Sequence, residues 1–466
     1  MLFSSIPFLY YFLPIVFIMY FLVPGKVKNY VLLLWSLFFY AWGGVSYLAL
    51  MLANIVLGYV FARLIDATDN STRRKVYLIT YLSAAIGLLG YYKYADFFIE
   101  NVNVIFNSDI PLLKVILPIG ISFYTFQVLS YVVDVYRGDV EAQKNPFTLA
   151  TYVSMFPQLI AGPIVRYVDV EKQLKNRTHT LDKTIEGIRR FVTGLSKKIL
   201  IANALGELCD IFRTSQDKSV LFYWMYAIAF MLHIYYDFSG YSDMAIGIGK
   251  IFAFDFLENF DYPYISKSVT EFWRRWHMSL GSWFRDYVYI PLGGNRVPKF
   301  KWLINIFVVW FLTGFWHGAS WNFIVWGLYF AVILVVEKLW LQKYIAKTGI
   351  FQHIYVLLLV CISFVIFNAT NMLEAIQYIG SMFGAGEVPL LSKEAIYYLG
   401  SYAVIFLIAF VGATPALKSL YTRLCGKEYV SKSVGILEPI VVVLLLLLCT
   451  AYLVDGSFNP FLYFRF

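Results

Sequence analysis

Charged residues are scarce in this chain of 466 residues: they make up 14% of the sequence, whereas hydrophobic residues make up 60% and aromatic residues 20%. Soluble domains typically carry about 25% charged residues, which cover the surface that faces water. The composition therefore excludes a soluble protein of this length, as well as disordered and collagen-like chains. It indicates a protein that crosses a membrane several times.

Cysteine pairs and metal-ligand motifs are also lacking. The chain has four cysteines without a CxxC pair and five histidines without an HExxH motif. A disulfide framework, structural zinc and metal catalysis are therefore disfavoured. No glycine-rich phosphate loop is present, and the Gly-Tyr-Ser triplet at 240–242 lacks the last glycine of a serine-hydrolase elbow. The first apolar run, Ile6–Val23, has no basic region before it and no cleavage motif, so we interpret it as a retained membrane helix.

Apolar runs make up most of the chain, and several are too short or too interrupted to cross a membrane alone. A spanning helix needs about 20 apolar residues, whereas Leu221–Tyr236 and Ser242–Phe256 are shorter and Pro157 interrupts Phe147–Ile164. Such segments fit re-entrant helices, which exist at membrane depth only inside a protein or beside water. We predict an all-α polytopic membrane protein with about eleven to thirteen transmembrane or re-entrant helices.

No internal repeat is evident, so we expect a single integral membrane domain over the whole chain. Its parts are N-terminal helices at 1–110, a motif-bearing core at 111–340, and C-terminal helices with an aromatic tail at 341–466.

Basic residues cluster in the connections between apolar runs, and the formal net charge is +9. The largest clusters lie at 166–198 and 274–301. Loops rich in lysine and arginine stay in the cytoplasm, where they face anionic lipid headgroups. The segment 455–466 carries one aspartate and one arginine, so the same rule predicts a C-terminus outside the cytoplasm.

One histidine lies in a segment rich in aromatic and arginine residues, EFWRRWHMSLGSWFRDYVYIPLGGNR at 271–296. On a helix, Trp273, Trp276 and Trp283 share one arc and Arg274 lies on the opposite side. This pattern is typical of a basic amphipathic helix in the headgroup plane. His277 falls at the edge of the apolar arc, where a structural and a functional histidine are both compatible with the pattern.

A second histidine, His317, is the only residue in the apolar run 302–336 that titrates near neutral pH. Ionisable groups at membrane depth are costly and mark functional sites. Gly314 and Gly318 flank it, so another backbone or a ligand can approach closely, and 318–320 is a candidate break between two half-helices. Desolvation favours the neutral imidazole, which could accept a proton. A packed structural histidine is the alternative.

The other histidines are weaker candidates. His179 lies in a polar loop and His353 at the start of an apolar run. His233 precedes Asp237 and Asp243, which could orient it, cap a helix or line a polar cavity, and the sequence leaves these roles open.

In combination, these segments resemble a known family. FWRRWHMSLGSWFRDYVYIPLGGNR around His277 and TGFWHGASWNFIVWG around His317 resemble the signature of membrane-bound O-acyltransferases, the MBOAT family. The blocks Ser130–Tyr167 and Asp237–Gly247 are similar to its bacterial alginate O-acetyltransferase branch. The resemblance implies a ring of helices around a central tunnel, with a funnel on each face of the membrane.

The resemblance also implies a reaction and a location. An acetyl group would move from a cytoplasmic thioester donor, acetyl-CoA, to an extracytoplasmic polysaccharide, often through a separate SGNH-type acetyltransferase partner. His317 matches the catalytic histidine of the family, which implies a general base. His277 matches a position that is histidine or asparagine in the family, which implies an orienting or polarising role. The expected location is the bacterial plasma membrane, and no metal is expected.

Charge and predicted side of the membrane supply candidate contacts for acetyl-CoA. The basic residues that could bind its phosphates are Arg274, Arg275, Arg285 and Lys198. Asn322 is a further candidate in this site. His277, Asn322 or a backbone N–H could stabilise the oxyanion that forms during transfer.

The chain ends in NPFLYFRF, at 459–466. This tail resembles the terminal aromatic motif of the small peptide component in teichoic-acid D-alanylation systems. We hypothesise that Tyr463 accepts the acetyl group and passes it to the partner. The alternative is an aromatic anchor at the membrane interface.

Other classes of function remain open at this stage. A transporter or flippase for a polysaccharide or lipid-linked unit would need a wide alternating cavity and an internal repeat. A family member that acylates a lipid or a protein would need a deep apolar pocket. A scaffold for a cell-wall complex would turn over no thioester.

Overall fold

The computed structural model describes residues 1–160, 162–425 and 428–456, and these residues form helices and turns without any strand. Six helices in the described part are long and apolar enough to cross a membrane. They are Val45–Asp66, Lys299–His317, Trp321–Ile345, Phe351–Asn368, Lys393–Gly412 and Ser433–Asp455. The predicted all-α polytopic membrane protein is therefore confirmed, whereas the central tunnel and the single domain stay predictions.

The chain divides into two compact units, which we call the first unit (Met1–Phe191 and Tyr241–Leu257) and the second unit (Val192–Gly240 and the residues from Glu258 onwards). The helices of the first unit are α1 Leu13–Leu22, α2 Lys28–Ala41, α3 Val45–Asp66, α4 Ser71–Phe106, α5 Ile121–Arg137, α6 Pro146–Ser154, α7 Phe156–Leu159 and α8 Tyr167–Lys175. Two helices, α9 Leu181–Ser196 and α11 Val220–Ile251, have residues assigned to both units.

The second unit contains the remaining helices. They are α10 Asn203–Thr214, α12 Val269–Arg275, α13 Met278–Phe284, α14 Lys299–His317, α15 Trp321–Val336, α16 Gln342–Ile345, α17 Phe351–Asn368, α18 Met372–Met382, α19 Lys393–Gly412, α20 Ala416–Cys425 and α21 Glu428–Asp455. Short π-helical turns precede α1, precede α10, follow α13 and follow α15.

The interruption that Pro157 predicts in the first unit is present. Helix α6 ends at Ser154 and α7 begins at Phe156, with Pro157 in its first turn. Proline has no N–H to donate and is best tolerated in the first turn of a helix. The backbone N–H of Phe156 donates to Ser36 Oγ at 3.1 Å, so a side chain of α2 satisfies the backbone group at the break.

The two short runs Leu221–Tyr236 and Ser242–Phe256 are not separate re-entrant segments, because a single helix, α11, covers the first run and continues to Ile251 in the second. Asp237 and Asp243 lie where the two runs meet, and each has a basic partner within its own unit. Asp237 Oδ1 lies 2.5 Å from Lys198 Nζ in the second unit. Asp243 Oδ1 lies 2.8 Å from Nη2 of Arg190 in the first unit. A paired carboxylate can be buried within a helix, so neither aspartate ends it.

Helices α14 and α15 form a hairpin with a very close crossing. A Cβ added to Gly314 would lie 2.3 Å from the carbonyl oxygen of Phe323, and one added to Gly327 would lie 2.3 Å from that of Trp310. Only glycine permits this approach of the two backbones. Gly318 and Ser320, which lie between the helices, have extended backbones, and this confirms the predicted break after His317.

The single amphipathic helix expected around His277 is wrong. Helix α12 ends at Arg275, α13 begins at Met278, and His277 between them has a left-handed backbone with φ of 45°. The tryptophans at 273 and 276 contact other side chains of the second unit, Trp310 and Phe364. A series of turns follows at 291–295.

Candidate active site

A carboxylate at the end of α15 fixes the start of α12. Glu337 is 1% exposed. Its two oxygens accept from the backbone N–H of Val269 at 2.7 Å, from that of Thr270 at 3.0 Å and from the Thr270 hydroxyl at 2.9 Å. Free N–H groups at a helix start favour a negative charge. The buried carboxylate therefore anchors α12 at its N-terminal end.

From this anchor, α12 follows α14 toward the end that carries His317. The ring of Trp273 lies 4.8 Å from that of Trp310, and the ring of His277 lies 6.2 Å from that of Trp316. The contact later in one segment is also the later one in the other, so the two segments run in the same direction. The turn between α12 and α13 therefore brings His277 to the C-terminal end of α14.

Asn259 holds the turn at His277 through its backbone and its side chain. Its carbonyl oxygen accepts from the Met278 N–H at 3.0 Å. Its Oδ1 accepts from the Ser279 N–H at 3.2 Å and from the Ser279 hydroxyl at 2.8 Å, and lies 3.1 Å from His277 Nδ1. A left-handed conformation costs a non-glycine residue about 1 kcal/mol, and these hydrogen bonds offset that cost.

The His277 ring is enclosed by the protein. The residue is 2% exposed, and the ring of Phe238 stands edge-on at 4.7 Å. Burial lowers the pKa of His277 to about 3, because an imidazolium would lose its hydration. At neutral pH the ring is therefore uncharged.

His317 is the last residue of α14 and is 7% exposed. Its ring lies 5.1 Å from that of Trp316, 5.1 Å from that of Trp326 and 5.3 Å from that of Phe367. The ring is thus packed among aromatic side chains of the second unit. Because Trp316 contacts both histidine rings, the structure brings the two predicted residues together.

Asn322, the third predicted residue of this region, donates its amide hydrogens to the end of α17. Its Nδ2 lies 2.9 Å from the carbonyl oxygen of Ala369 and 3.4 Å from that of Phe367. The amide hydrogens therefore already have acceptors, which disfavours Asn322 as an oxyanion donor. Its Oδ1 is buried and has no partner among the residues that the structure describes.

The four candidate phosphate contacts differ in their surroundings. Arg274 is exposed and forms no ion pair within the described part of the chain. Arg275 is paired with Asp261 and Glu271. Arg285 is exposed beside Asp286, and Lys198 is buried against Asp237. Of the four, Arg274 is the exposed residue that has no ion pair among the described residues.

The remaining histidines have structural contacts. His233 Nδ1 lies 2.6 Å from the carbonyl oxygen of Ala202, which requires an N–H there. His353 Nδ1 lies 3.2 Å from the carbonyl oxygen of Ser266. In the first unit, His179 Nε2 lies 2.9 Å from the Tyr20 hydroxyl. Burial and the nearby Lys28, Arg177 and Lys183 lower the pKa of His179 to about 4.

Neither the tyrosine of the aromatic tail nor a metal site is found among the described residues. Tyr463 lies outside the described residues, so the acyl relay stays a prediction. Within the described part of the chain, no cluster of three or more histidine, cysteine or acidic residues could hold a metal ion.

Sequence reasoning missed Asn259 and Glu337. Asn259 stands in a loop, LENFDYPY, without a motif that links it to His277. Glu337 had a usable signal, since it ends an apolar run in which a carboxylate needs a partner.

Fold and site together define the class: an all-helical, multi-pass membrane protein in which the rings of two buried histidines contact the same tryptophan, Trp316.

Similarity to proteins of known family identifies this class of membrane protein more closely. Residues 143–376 match the model of the membrane-bound O-acyltransferase family, MBOAT. The chain is 38% identical to the "Probable alginate O-acetylase AlgI" of Pseudomonas putida, over all of both chains. It is 43% identical to the protein of the same name from Pseudomonas aeruginosa, over 83% of this chain and 75% of the relative. It is 34% identical to the "Peptidoglycan O-acetyltransferase" of Helicobacter pylori, over 100% of this chain and 98% of the relative.

The chain belongs to the membrane-bound O-acyltransferase family, and it is an O-acyltransferase. The sequence resemblance stated above is thereby confirmed, and both buried histidines fall within the matched range.

Proposed function

We propose that this enzyme moves an acetyl group from cytoplasmic acetyl-CoA to a polysaccharide outside the plasma membrane. The proposal is supported by relatives named for the O-acetylation of alginate and of peptidoglycan, which align with the full length of the chain. Acetyl-CoA is too large and too charged to cross a bilayer, whereas its acetyl group is small. A protein that admits only the thioester end would keep the nucleotide on the cytoplasmic side.

The observation that carries the chemistry is the pair of buried histidines on Trp316. In the proposed step, the acceptor hydroxyl attacks the thioester carbonyl, a C–O bond forms and the C–S bond breaks. His317 takes the hydroxyl proton as general base and returns a proton to the departing thiolate. Arg274 contacts a donor phosphate in this proposal, because it is the exposed arginine nearest to His277 in the sequence.

The proposal includes a partner and a topology. The basic connections lie in the cytoplasm and the C-terminus lies outside. Tyr463 receives the acetyl group there as a tyrosyl ester and passes it to the serine of an SGNH-type acetyltransferase, which acetylates the polysaccharide. Direct transfer from acetyl-CoA to the polymer is the alternative route to the same product.

The test is acetyl-CoA turnover by the protein in lipid vesicles, with the partner and each polymer outside. His317→Ala should lower the rate of thioester consumption at least a hundredfold, because general-base catalysis contributes about 10²–10⁴-fold. His353→Gln is the matched control, because it replaces a histidine whose contact is structural and lies outside the proposed chemistry. Its rate of thioester consumption should stay within twofold of that of the unchanged protein. Retention of a tenth of the activity by His317→Ala would contradict the assignment of the base.

Two polymers separate the acceptor classes in the same assay. Labelled acetyl groups should appear on alginate or on peptidoglycan when the polymer is supplied outside the vesicles. If thioester is not consumed with either polymer, the proposed donor and acceptor are both wrong.

A further inference from the structure

A ring nitrogen of His277 lacks a hydrogen-bond partner among the described residues. His277 Nε2 is buried, and no described residue offers it a hydrogen bond, although the residue is only 2% exposed. A buried polar atom without a partner costs about 1–3 kcal/mol. Such atoms are rare in folded proteins and mark strain, bound water or a ligand. The other ring nitrogen, Nδ1, does have a partner, and its identity decides what Nε2 can do.

The partner of Nδ1 is an oxygen whose orientation can be assigned. Asn259 Oδ1 and Nδ2 could exchange places by a flip of the amide. The backbone N–H of Ser279, 3.2 Å away, can only donate, so the atom facing it must be the acceptor Oδ1. The Ser279 hydroxyl, 2.8 Å away, donates to the same oxygen. If the Asn259 amide were flipped, its NH₂ group would face the Ser279 N–H, and two donors would oppose each other.

An oxygen that accepts at 3.1 Å requires a hydrogen on His277 Nδ1. In a neutral imidazole only one nitrogen carries hydrogen. Nε2 therefore keeps its lone pair and can accept a hydrogen bond but cannot donate one.

We propose that Asn259 is a positioning residue that locks His277 in the Nδ1–H tautomer, so that Nε2 accepts a hydrogen bond from an O–H or N–H group of a bound substrate. This role rests on the proposed acyl transfer. It differs from the oxyanion-stabilising role considered for His277, because a lone pair repels a developing negative charge. Stabilisation of the oxyanion then falls to a backbone N–H or to another group.

The tautomer can be measured without any turnover. The protein is labelled with ¹⁵N-histidine and reconstituted in lipid, and the His277 signals are assigned by their loss in His277→Gln. We expect a protonated Nδ1 and an unprotonated Nε2. A hydrogen on Nε2 in the unchanged protein would overturn the proposal.

Variants of the turn extend the measurement. Asn259→Ala should give a mixture of tautomers, whereas Asn259→Asp retains an oxygen acceptor and should keep the Nδ1–H form. Ser279→Ala is the matched control, because it removes a hydroxyl from the same network but leaves the Ser279 N–H and Asn259 Oδ1 in place. An unchanged tautomer in Asn259→Ala would show that Asn259 does not set it.

Kinetics then separate positioning from folding. Asn259→Ala should lower kcat or raise KM at least tenfold at 25 °C, and Asn259→Asp should recover most of the loss. An increase in the KM for acetyl-CoA assigns the hydrogen-bonding group to the donor, and an increase in the KM for the acceptor assigns it to the acceptor.

The results distinguish this proposal from the proposed function. If acetyl-CoA is consumed but His277 carries its hydrogen on Nε2, the tautomer proposal fails alone. If His277 has the Nδ1–H form but acetyl-CoA is not consumed, the proposed function fails, and so does the substrate contact, while the assignment of the hydrogen stands. If all variants retain the kinetics of the unchanged protein, Asn259 is not a positioning residue.

Discussion

His317 and His277 contact the same tryptophan, but different kinds of interaction hold them there. His317 ends a helix that packs backbone to backbone against its neighbour through Gly314 and Gly327. His277 lies at a turn that depends on hydrogen bonds to two polar side chains, Asn259 near the ring and Glu337 at the other end of α12. One residue is positioned by packing and the other by polar contacts.

This difference bears on what each histidine tolerates. Packed backbones have few alternative arrangements, so any added atom at a glycine contact displaces a whole helix. Hydrogen-bonded turns lose one contact at a time, but each loss leaves a buried group unsatisfied. Changes to the packing should therefore have larger effects than changes to the polar contacts.

The largest effect is expected from Gly314→Ala. Its Cβ would lie 2.3 Å from the Phe323 carbonyl oxygen, so α14 and α15 would have to separate. Overpacking of this kind costs about 1–3 kcal/mol, and we expect the upper end of that range because the obstacle is backbone. Thermal unfolding in detergent should show the lower stability, and acetyl transfer should fall at least tenfold as His317 moves.

Gly400→Ala in α19 is the matched control for this substitution. Among the described residues, no heavy atom outside its own helix backbone lies within 4 Å of its added Cβ, and alanine favours a helix by about 1 kcal/mol over glycine. Equal stability of Gly314→Ala and Gly400→Ala would contradict the view that close packing holds His317.

The sequence could predict the packed half of the site and not the polar half. The break at 318–320 follows from glycine and serine in an apolar run, and the spacing of Gly314 and Gly318 indicates a close approach. These signals are local. The contacts of His277 with Asn259, 18 residues away, and of Val269 in α12 with Glu337, 68 residues away, are not local. The apolar run before Glu337 shows that this carboxylate needs a partner but not which one.

The same limit applies to α11, which appears in the sequence as two short apolar runs. Asp237 and Asp243 look like a boundary because a buried carboxylate without a partner is costly. Their partners, Lys198 and Arg190, come from other segments and remove that cost. A window of sequence shows the charge of a residue but not the distant charge that neutralises it.

A smaller effect is expected from Glu337→Gln, which tests the polar anchor of α12. Three donors share the two carboxylate oxygens, and a glutamine keeps only one oxygen. Hydrogen bonds to a charged group contribute about 1.5–3 kcal/mol, so we expect a loss of about 2 kcal/mol in thermal unfolding. Acetyl transfer should fall less than in Gly314→Ala, because Asn259 still holds the turn.

Glu100→Gln, at an exposed position of α4, controls for the loss of a carboxylate as such. It should leave both stability and activity unchanged. A Glu337→Gln variant as stable as Glu100→Gln would mean that the buried carboxylate does not anchor α12.

The smallest effect is a pH dependence of stability that His277 should show. Burial lowers its pKa to about 3 in the folded protein, whereas an unfolded chain has a histidine pKa of about 6.5. As the pH falls below about 6.5, the unfolded state therefore binds a proton that the folded state refuses, and stability declines until the pH approaches 3. At pH 5.5 the loss amounts to roughly 1 kcal/mol.

The neighbours that face the ring, Phe238, Trp316 and Asn259, carry no charge, so burial alone accounts for the contribution of His277 to the pH dependence. It should be measured as the difference in melting temperature between pH 7.5 and pH 5.5, and His277→Gln should have a smaller difference than the unchanged protein. His179, whose pKa is also lowered, contributes a slope of the same sign that this variant retains. An equal pH dependence with and without His277 would mean that the ring is hydrated or already charged, and the lone pair assigned to Nε2 would then be lost.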